Sequence, residues 1–339
     1  MVRVETPRRT TTHCVFASDG TPLSAEVHGP DDAPVTLVLA HGWCLDRTSW
    51  APVLPHLPTG ESRGGASEGG GTDEAPPARV VAYDHRGHGR SGRDHRPRVR
   101  GARASIRTLA DDLSAVIDRL APEGPLVLAG HSMGGMTIMA LAALRPDLVR
   151  DRLAGVALVS TAARSAQGVL GPRSGPRSGP RSGAARVFTL GMRVLAAIPP
   201  LPVERADRLP ERLRRLAPRE AWGIERSRRL LFGHDSDPSH HRAAHRMIGR
   251  TALRTVGAWY GALSAHDEVA SLAALHDVPV RVLVGERDRL TPPRDARLIA
   301  DALPPTAVLD VMPHAGHMLP MERPVAVAGH LAALLEEAR

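Results

Sequence analysis

Six short apolar runs, each bounded by turn residues and separated by segments of helical periodicity, limit this chain's fold more than any other feature. They occupy residues 35–40, 79–83, 126–129, 156–159, 280–284 and 308–311. A strand with one wet face alternates apolar and polar residues. Runs without that alternation suit strands covered on both faces, as in a parallel sheet. Between them Leu109, Leu113, Val116, Ile117 and Leu120 recur at helical spacing, and Val327, Leu331, Leu334 and Leu335 repeat the pattern. Ahead of the first run, residues 12–18 and 23–28 flank Asp19-Gly20, which reads as a hairpin turn. The expected fold class is α/β: an open, mostly parallel sheet with helices on both faces. A chain of 339 residues has room for one such domain and an appended subdomain.

Three stretches depart from this alternation. Residues 59–77, rich in Gly, Ser and Glu, read as a flexible insertion. Residues 171–183 repeat Gly-Pro-Arg-Ser three times and close on Gly183; so simple a repeat cannot bury a core and reads as disordered. It lies within an Arg-rich block, residues 163–255, that is helical in pattern and reads as a separate insertion. The domain expectation is a core of residues 12–162 and 256–339, with 163–255 as a helical cap.

Charge and composition narrow the partners. The formal net charge is +8 and all 44 basic residues other than histidine are arginine. They are scattered, and aromatics are only 3 % of the chain, too few to interleave as base-stacking platforms, so no nucleic-acid partner is expected. No apolar run is long enough to span a membrane. Arg8-Arg9 is followed by no apolar stretch, so no export signal is visible. Two cysteines, Cys14 and Cys44, make no disulfide framework in a chain this long, and the cytoplasm is the default expectation.

The segment Gly130-His131-Ser132-Met133-Gly134-Gly135 carries the strongest chemical signal. It follows the 126–129 run directly and precedes the helical run 136–144. A serine forced into so tight a strand-to-helix turn has strained backbone angles, and flanking glycines avoid clashes. Its hydroxyl then projects at the carboxyl edge of the sheet, where such folds bind ligands. A nucleophilic serine needs a base, and His317, just after the final run, is the candidate; His314 in the same loop is its rival. The imidazole needs an acid to fix its tautomer. Asp288, after the 280–284 run, fits that role, with Glu286 close by in the same turn. His41-Gly42-Trp43 follows the first run, so the backbone N–H of Trp43 can join that of Met133 in an oxyanion hole.

His41-Gly42-Trp43, the 84–91 segment Asp-His-Arg-Gly-His-Gly-Arg-Ser, the 130–135 elbow, the 285–288 turn and Gly316-His317 together resemble the ordered landmarks of the α/β-hydrolase superfamily. The resemblance covers about residues 12–339 outside the two insertions. It implies an eight-stranded sheet with a helical cap after the sixth strand, where residues 163–255 fall. It implies the triad order Ser132, Asp288, His317, and a structural turn at 84–91. A serine at the elbow excludes the dehalogenases and epoxide hydrolases of this fold, which place aspartate there. The elbow is also similar to that of monoacylglycerol-lipase-like enzymes and of cofactor-free haloperoxidase-like members.

The function expected is therefore a serine hydrolase acting on a carboxylic ester or related acyl bond of a small molecule, with no cofactor and no metal. Perhydrolase, thioesterase or lactonase activity is the alternative, and a non-catalytic ligand-binding member of the fold is another. Oligomeric state leaves no trace in the sequence. Three further features have plainer readings. His240, His241 and His245 lack a companion ligand pattern and read as cap surface rather than metal site. Cys44 reads as a small buried hydrophobe rather than a second nucleophile. The aliphatic stretch 187–201, interrupted by Arg193, reads as a cap helix lining a pocket rather than a membrane anchor.

Overall fold

The computed structural model describes residues 10–59, 77–92, 104–165 and 227–339. The 171–183 repeat, the 187–201 stretch and nearly all of the 59–77 insertion lie outside these residues.

Eight strands form one sheet: β1 Thr11–Phe16, β2 Pro22–His28, β3 Thr36–Ala40, β4 Arg79–Tyr83, β5 Leu126–His131, β6 Leu153–Val159, β7 Val280–Gly285 and β8 Val308–Met312. Their order is β1-β2-β4-β3-β5-β6-β7-β8. The β1–β2 and β2–β4 pairs are antiparallel, and every later pair is parallel. Helices among the described residues include α1 Ile106–Leu120, α2 Met133–Leu144, α3 Pro146–Arg152, α4 Pro238–Arg250, α5 Leu253–Ser264, α6 Pro293–Asp301, α7 Leu319–Glu322 and α8 Pro324–Glu337. Helix α5 runs through residue 256, the boundary between cap and core expected from composition.

The unalternating apolar runs have a simple cause. Successive side chains of a strand point to opposite faces, and here both faces are covered. Val38, Val81, Leu126, Leu128, Val156, Leu158, Val280 and Val282 point into a core shared with α1, α2 and α6. Leu37, Leu39, Val80, Ala82, Val127, Ala129, Ala157 and Val159 point into a second core, closed by Trp50, Val53 and the α8 residues Val327, Leu331, Leu334 and Leu335. Helix α1 begins where Ser105 caps it, its side chain accepting a hydrogen bond from the Thr108 N–H at 3.1 Å. Leu109, Leu113, Val116, Ile117 and Leu120 form its buried face, as their spacing requires. Among the described residues, no helix is long and apolar enough to cross a membrane.

Parallel pairing brings the carboxyl ends of β3, β5, β7 and β8 to one edge of the sheet. The segments that follow those strands carry His41-Gly42-Trp43, Ser132, Asp288 and His317 respectively.

Candidate active site

Ser132 joins the end of β5 to the start of α2 with φ 53° and ψ −116°, a conformation that L-residues other than glycine rarely adopt. The turn has no room to relax. A Cβ on Gly130 would lie 2.4 Å from the Gly135 nitrogen, and one on Gly134 would lie 2.3 Å from the Ala40 carbonyl oxygen. The backbone is pinned on both sides: the Ser132 N–H donates to the Val159 oxygen at 2.9 Å, and the Thr161 hydroxyl donates to the Ser132 carbonyl at 2.7 Å. Ser132 is half-buried. Met133 is the first residue of α2, so its N–H has no partner within the helical ladder.

The loop after β3 lies against this elbow: a Cβ on Gly42 would sit 3.2 Å from the Ser132 Cβ. Its conformation is set from below by buried imidazoles. His41 Nδ1 bonds the Gly42 carbonyl at 2.7 Å, and a carbonyl only accepts, so Nδ1 carries the proton. His41 Nε2 then accepts from the His85 N–H at 3.0 Å, which fixes that tautomer. The Gly42 carbonyl and the Trp43 N–H belong to one planar peptide unit, so holding the first orients the second. The Cys44 N–H donates to His88 Nε2 at 3.2 Å, and the Cys44 carbonyl accepts from the Thr251 hydroxyl at 3.3 Å. Burial pushes the Cys44 thiol up to about 12, so at neutral pH it is no thiolate nucleophile. The Trp43 ring is half-buried and stands 6.2 Å from that of Tyr260 on α5.

His317 Nδ1 lies 2.8 Å from Asp288 Oδ2, and both side chains are almost wholly buried. Asp288 is held by its own turn: Oδ1 accepts from the Leu290 and Thr291 N–H groups, each at 2.9 Å, and Oδ2 from the Thr291 hydroxyl at 2.9 Å. Burial alone would raise the Asp288 pKa. The neighbouring imidazole and the Thr291 hydrogen bonds outweigh burial and hold it below the usual carboxylate value. With Nδ1 bonded to a carboxylate, Nε2 is the free lone-pair nitrogen of a neutral His317. The loop reaches the elbow through His131, whose Nε2–H donates to the His317 carbonyl at 2.8 Å with ring centroids 5.0 Å apart. The two rivals pair with each other instead. The His314 N–H donates to Glu286 Oε2 at 2.9 Å, and both side chains are exposed.

The 84–91 segment is a turn after β4. Asp84 accepts from the Arg47 and Arg90 N–H groups, each at 2.8 Å, and pairs with the Arg47 guanidinium. His241 of the possible histidine cluster is buried, bonded to the Ser236 hydroxyl at 2.7 Å. Among the described residues no group of three or more potential ligands is placed to hold a metal ion.

The sequence places His41, His85, His88 and His131 within its landmark motifs but assigns them no role of their own. All four are buried, and burial holds His41 to about 4, His88 and His131 to about 3, and His85 well below its ordinary value. The unfolded chain protonates its histidines near pH 6.5. Below that pH it binds more protons than the folded protein, so their stabilising contribution is complete above about pH 6.5 and shrinks as pH falls towards 4. Each such difference costs about 1.4 kcal/mol per pH unit. The melting temperature should therefore drop by about 10 °C or more between pH 7 and pH 5. A thermal-melt series that stays flat over that range would show that these imidazoles ionise in place.

A family model described as serine aminopeptidase S33 matches residues 75–324. The chain is 30 % identical over 297 residues to a Variovorax paradoxus protein, a carbamate hydrolase by name (RutD), covering 87 % of this chain and 89 % of that protein. It is 32 % identical over 154 residues to the bifunctional esterase/perhydrolase DCH of Acinetobacter calcoaceticus, covering 43 % of each. Its fold is similar to that of a thermophilic esterase from Thermogutta terrifontis, solved with malate bound, with a TM-score of 0.67 and 26 % identity across 97 % of this chain and 99 % of that one.

Proposed function

The chain belongs to the α/β-hydrolase superfamily, within the serine aminopeptidase S33 group, and on that premise we propose that it is a serine hydrolase that cleaves carboxylic esters or related acyl bonds. The observation that carries the reading is the buried 2.8 Å contact between His317 Nδ1 and Asp288 Oδ2, in a loop bonded through His131 to the elbow of the strained Ser132. In this reading Ser132 is the nucleophile, His317 the general base and Asp288 the group that orients it. Nε2 of His317 takes the hydroxyl proton as Oγ attacks the substrate carbonyl carbon. The tetrahedral oxyanion is held by the N–H groups of Trp43 and Met133, each such donor contributing about 3 kcal/mol in the transition state. Collapse expels the leaving group with the proton from His317, and water repeats the sequence on the acyl-enzyme to release the acid.

Residues 163–255, between β6 and β7, are proposed as the cap over this site. A second reading, hydrolysis of a carbamate, is favoured by the similarity to the RutD protein along most of both chains. A carbamate presents the same kind of carbonyl to Ser132 and differs in the group expelled. Perhydrolysis needs the same acyl-enzyme, with hydrogen peroxide replacing water.

A fluorophosphonate probe tests the common core of these readings. Ser132 should be the labelled residue, identified by peptide mass. Folded protein that resists the probe would overturn the hydrolase reading in favour of a ligand-binding role. Esters of graded acyl length, assayed beside a simple carbamate and a peracid assay, then discriminate among substrates.

A further inference from the structure

A buried carboxylate behind the base has no part in the chemistry just described. Glu322, the last residue of α7, points back into the His317 loop. Both its oxygens accept from the Gly316 N–H at 3.0 Å, and Oε1 accepts from the Met318 N–H at 3.0 Å. Those two amides flank His317. Oε2 also accepts from the Gly233 N–H at 2.7 Å, on the segment that leads into α4. One carboxylate thus gathers three amides from two chain segments that are distant in sequence.

The same two segments are sewn together elsewhere. The His317 and Met318 N–H groups donate to the Leu231 carbonyl at 2.7 and 3.2 Å. The packing is backbone on backbone: a Cβ on Gly316 would lie 2.6 Å from the Gly233 nitrogen. Leu231 and Phe232 share a small apolar cluster with Met318, Met321, Ala244 and Met247. The base is therefore fastened on one side to Asp288 and on the other to the strip that precedes α4.

We propose that Glu322 is a positioning residue for His317, fixing the backbone on either side of the imidazole and coupling it to residues 231–233. The role rests on the reading of His317 as the general base. Loss of the clamp leaves three amide donors without their acceptor and frees the loop to shift. Displacement of a catalytic group by about 1 Å costs on the order of a hundredfold in rate, and Glu322 itself takes no part in binding substrate on the proposed reading.

The test compares Glu322→Gln with wild type, alone and in a His317→Ala background, on p-nitrophenyl acetate. The amide offers one acceptor oxygen and turns donors towards the remaining N–H groups. Expected are a fall in kcat of about ten- to a hundredfold with KM almost unchanged, faster hydrogen exchange at Gly316 and Met318, and no further loss of the residual rate when His317 is already alanine. A role confined to stability would lower the rate by the same factor in both backgrounds, and that result would overturn the proposal, as would unaltered kcat or unaltered exchange in the single variant. If Glu322→Gln does not fold, Glu322→Asp is read by the same assays. Wild-type protein that neither turns over esters nor reacts with a fluorophosphonate overturns the hydrolase reading instead, and exchange at Gly316 and Met318 still decides whether the clamp exists.

Discussion

Ser132→Ala should reduce ester turnover on the order of a millionfold while the protein folds and melts as before. On the proposed assignment, the size of the effect follows from removal of the attacking atom, which leaves only the oxyanion donors and substrate binding to act on a water molecule. The unchanged fold follows from the backbone: alanine carries the same Cβ, so the positive φ of 53° at this position is no worse strained than before. Glycine at the same position would relieve that strain, worth about 1–2 kcal/mol, so Ser132→Gly should be equally inactive yet melt higher than wild type. Steady-state hydrolysis of p-nitrophenyl acetate and thermal melts of the three proteins check both statements. Retained turnover in Ser132→Ala would move the nucleophile elsewhere.

Asp288→Asn should lower kcat by about ten thousandfold. An asparagine can turn its amide towards His317 Nδ1, which stabilises the imidazole tautomer with its lone pair on Nδ1 and its proton facing Ser132. The proposed base then has nothing with which to accept a proton. Combined with Ser132→Ala, the change should add almost nothing, since groups that act as a unit do not contribute independently. The aspartate also carries a pH-dependent share of stability. Its pKa lies below the ordinary value of 3.8, so that share is present above about pH 4 and is lost as pH falls through the lowered value. The Asp288→Asn protein should lack it. A near-wild-type rate in the variant would assign the orienting role to another group.

The sheet was legible in the sequence because both its faces are buried, and burial writes itself as uninterrupted Val, Leu and Ala. The runs at 79–83 and 280–284 coincide with β4 and β7 to within a residue. The run at 156–159 was too short. β6 starts at Leu153, directly after α3, and the small residues Ala154 and Gly155 hide its first residues in the pleat. Helix α2 starts at Met133 rather than at 136, because the serine itself occupies the cap position and the two glycines that follow Met133 are helical in spite of their propensity. Close approach to Ala40 and Thr161 demands glycine there.

Ser132, Asp288 and His317 were legible as candidates because each follows a strand in an order that the chain spells out. What joins them was not. His41, His85 and His88 fall within landmark motifs, but only the fold shows that each has one nitrogen donating and the other accepting. Glu322 lies beside Arg323 near a proline, and no local pattern singles it out. Its burial depends on Gly233, more than eighty positions away in the chain, a contact that no local pattern encodes.

The order of the sheet has a consequence for synthesis. Ser132 follows β5, in the middle of the sheet, whereas Asp288 and His317 follow β7 and β8, the last two strands at one edge. On the proposed assignment, a chain emerging from the ribosome presents its serine long before the acid and base exist. The hydroxyl stays inert throughout that interval, and reactivity arrives only when the far edge of the sheet has docked.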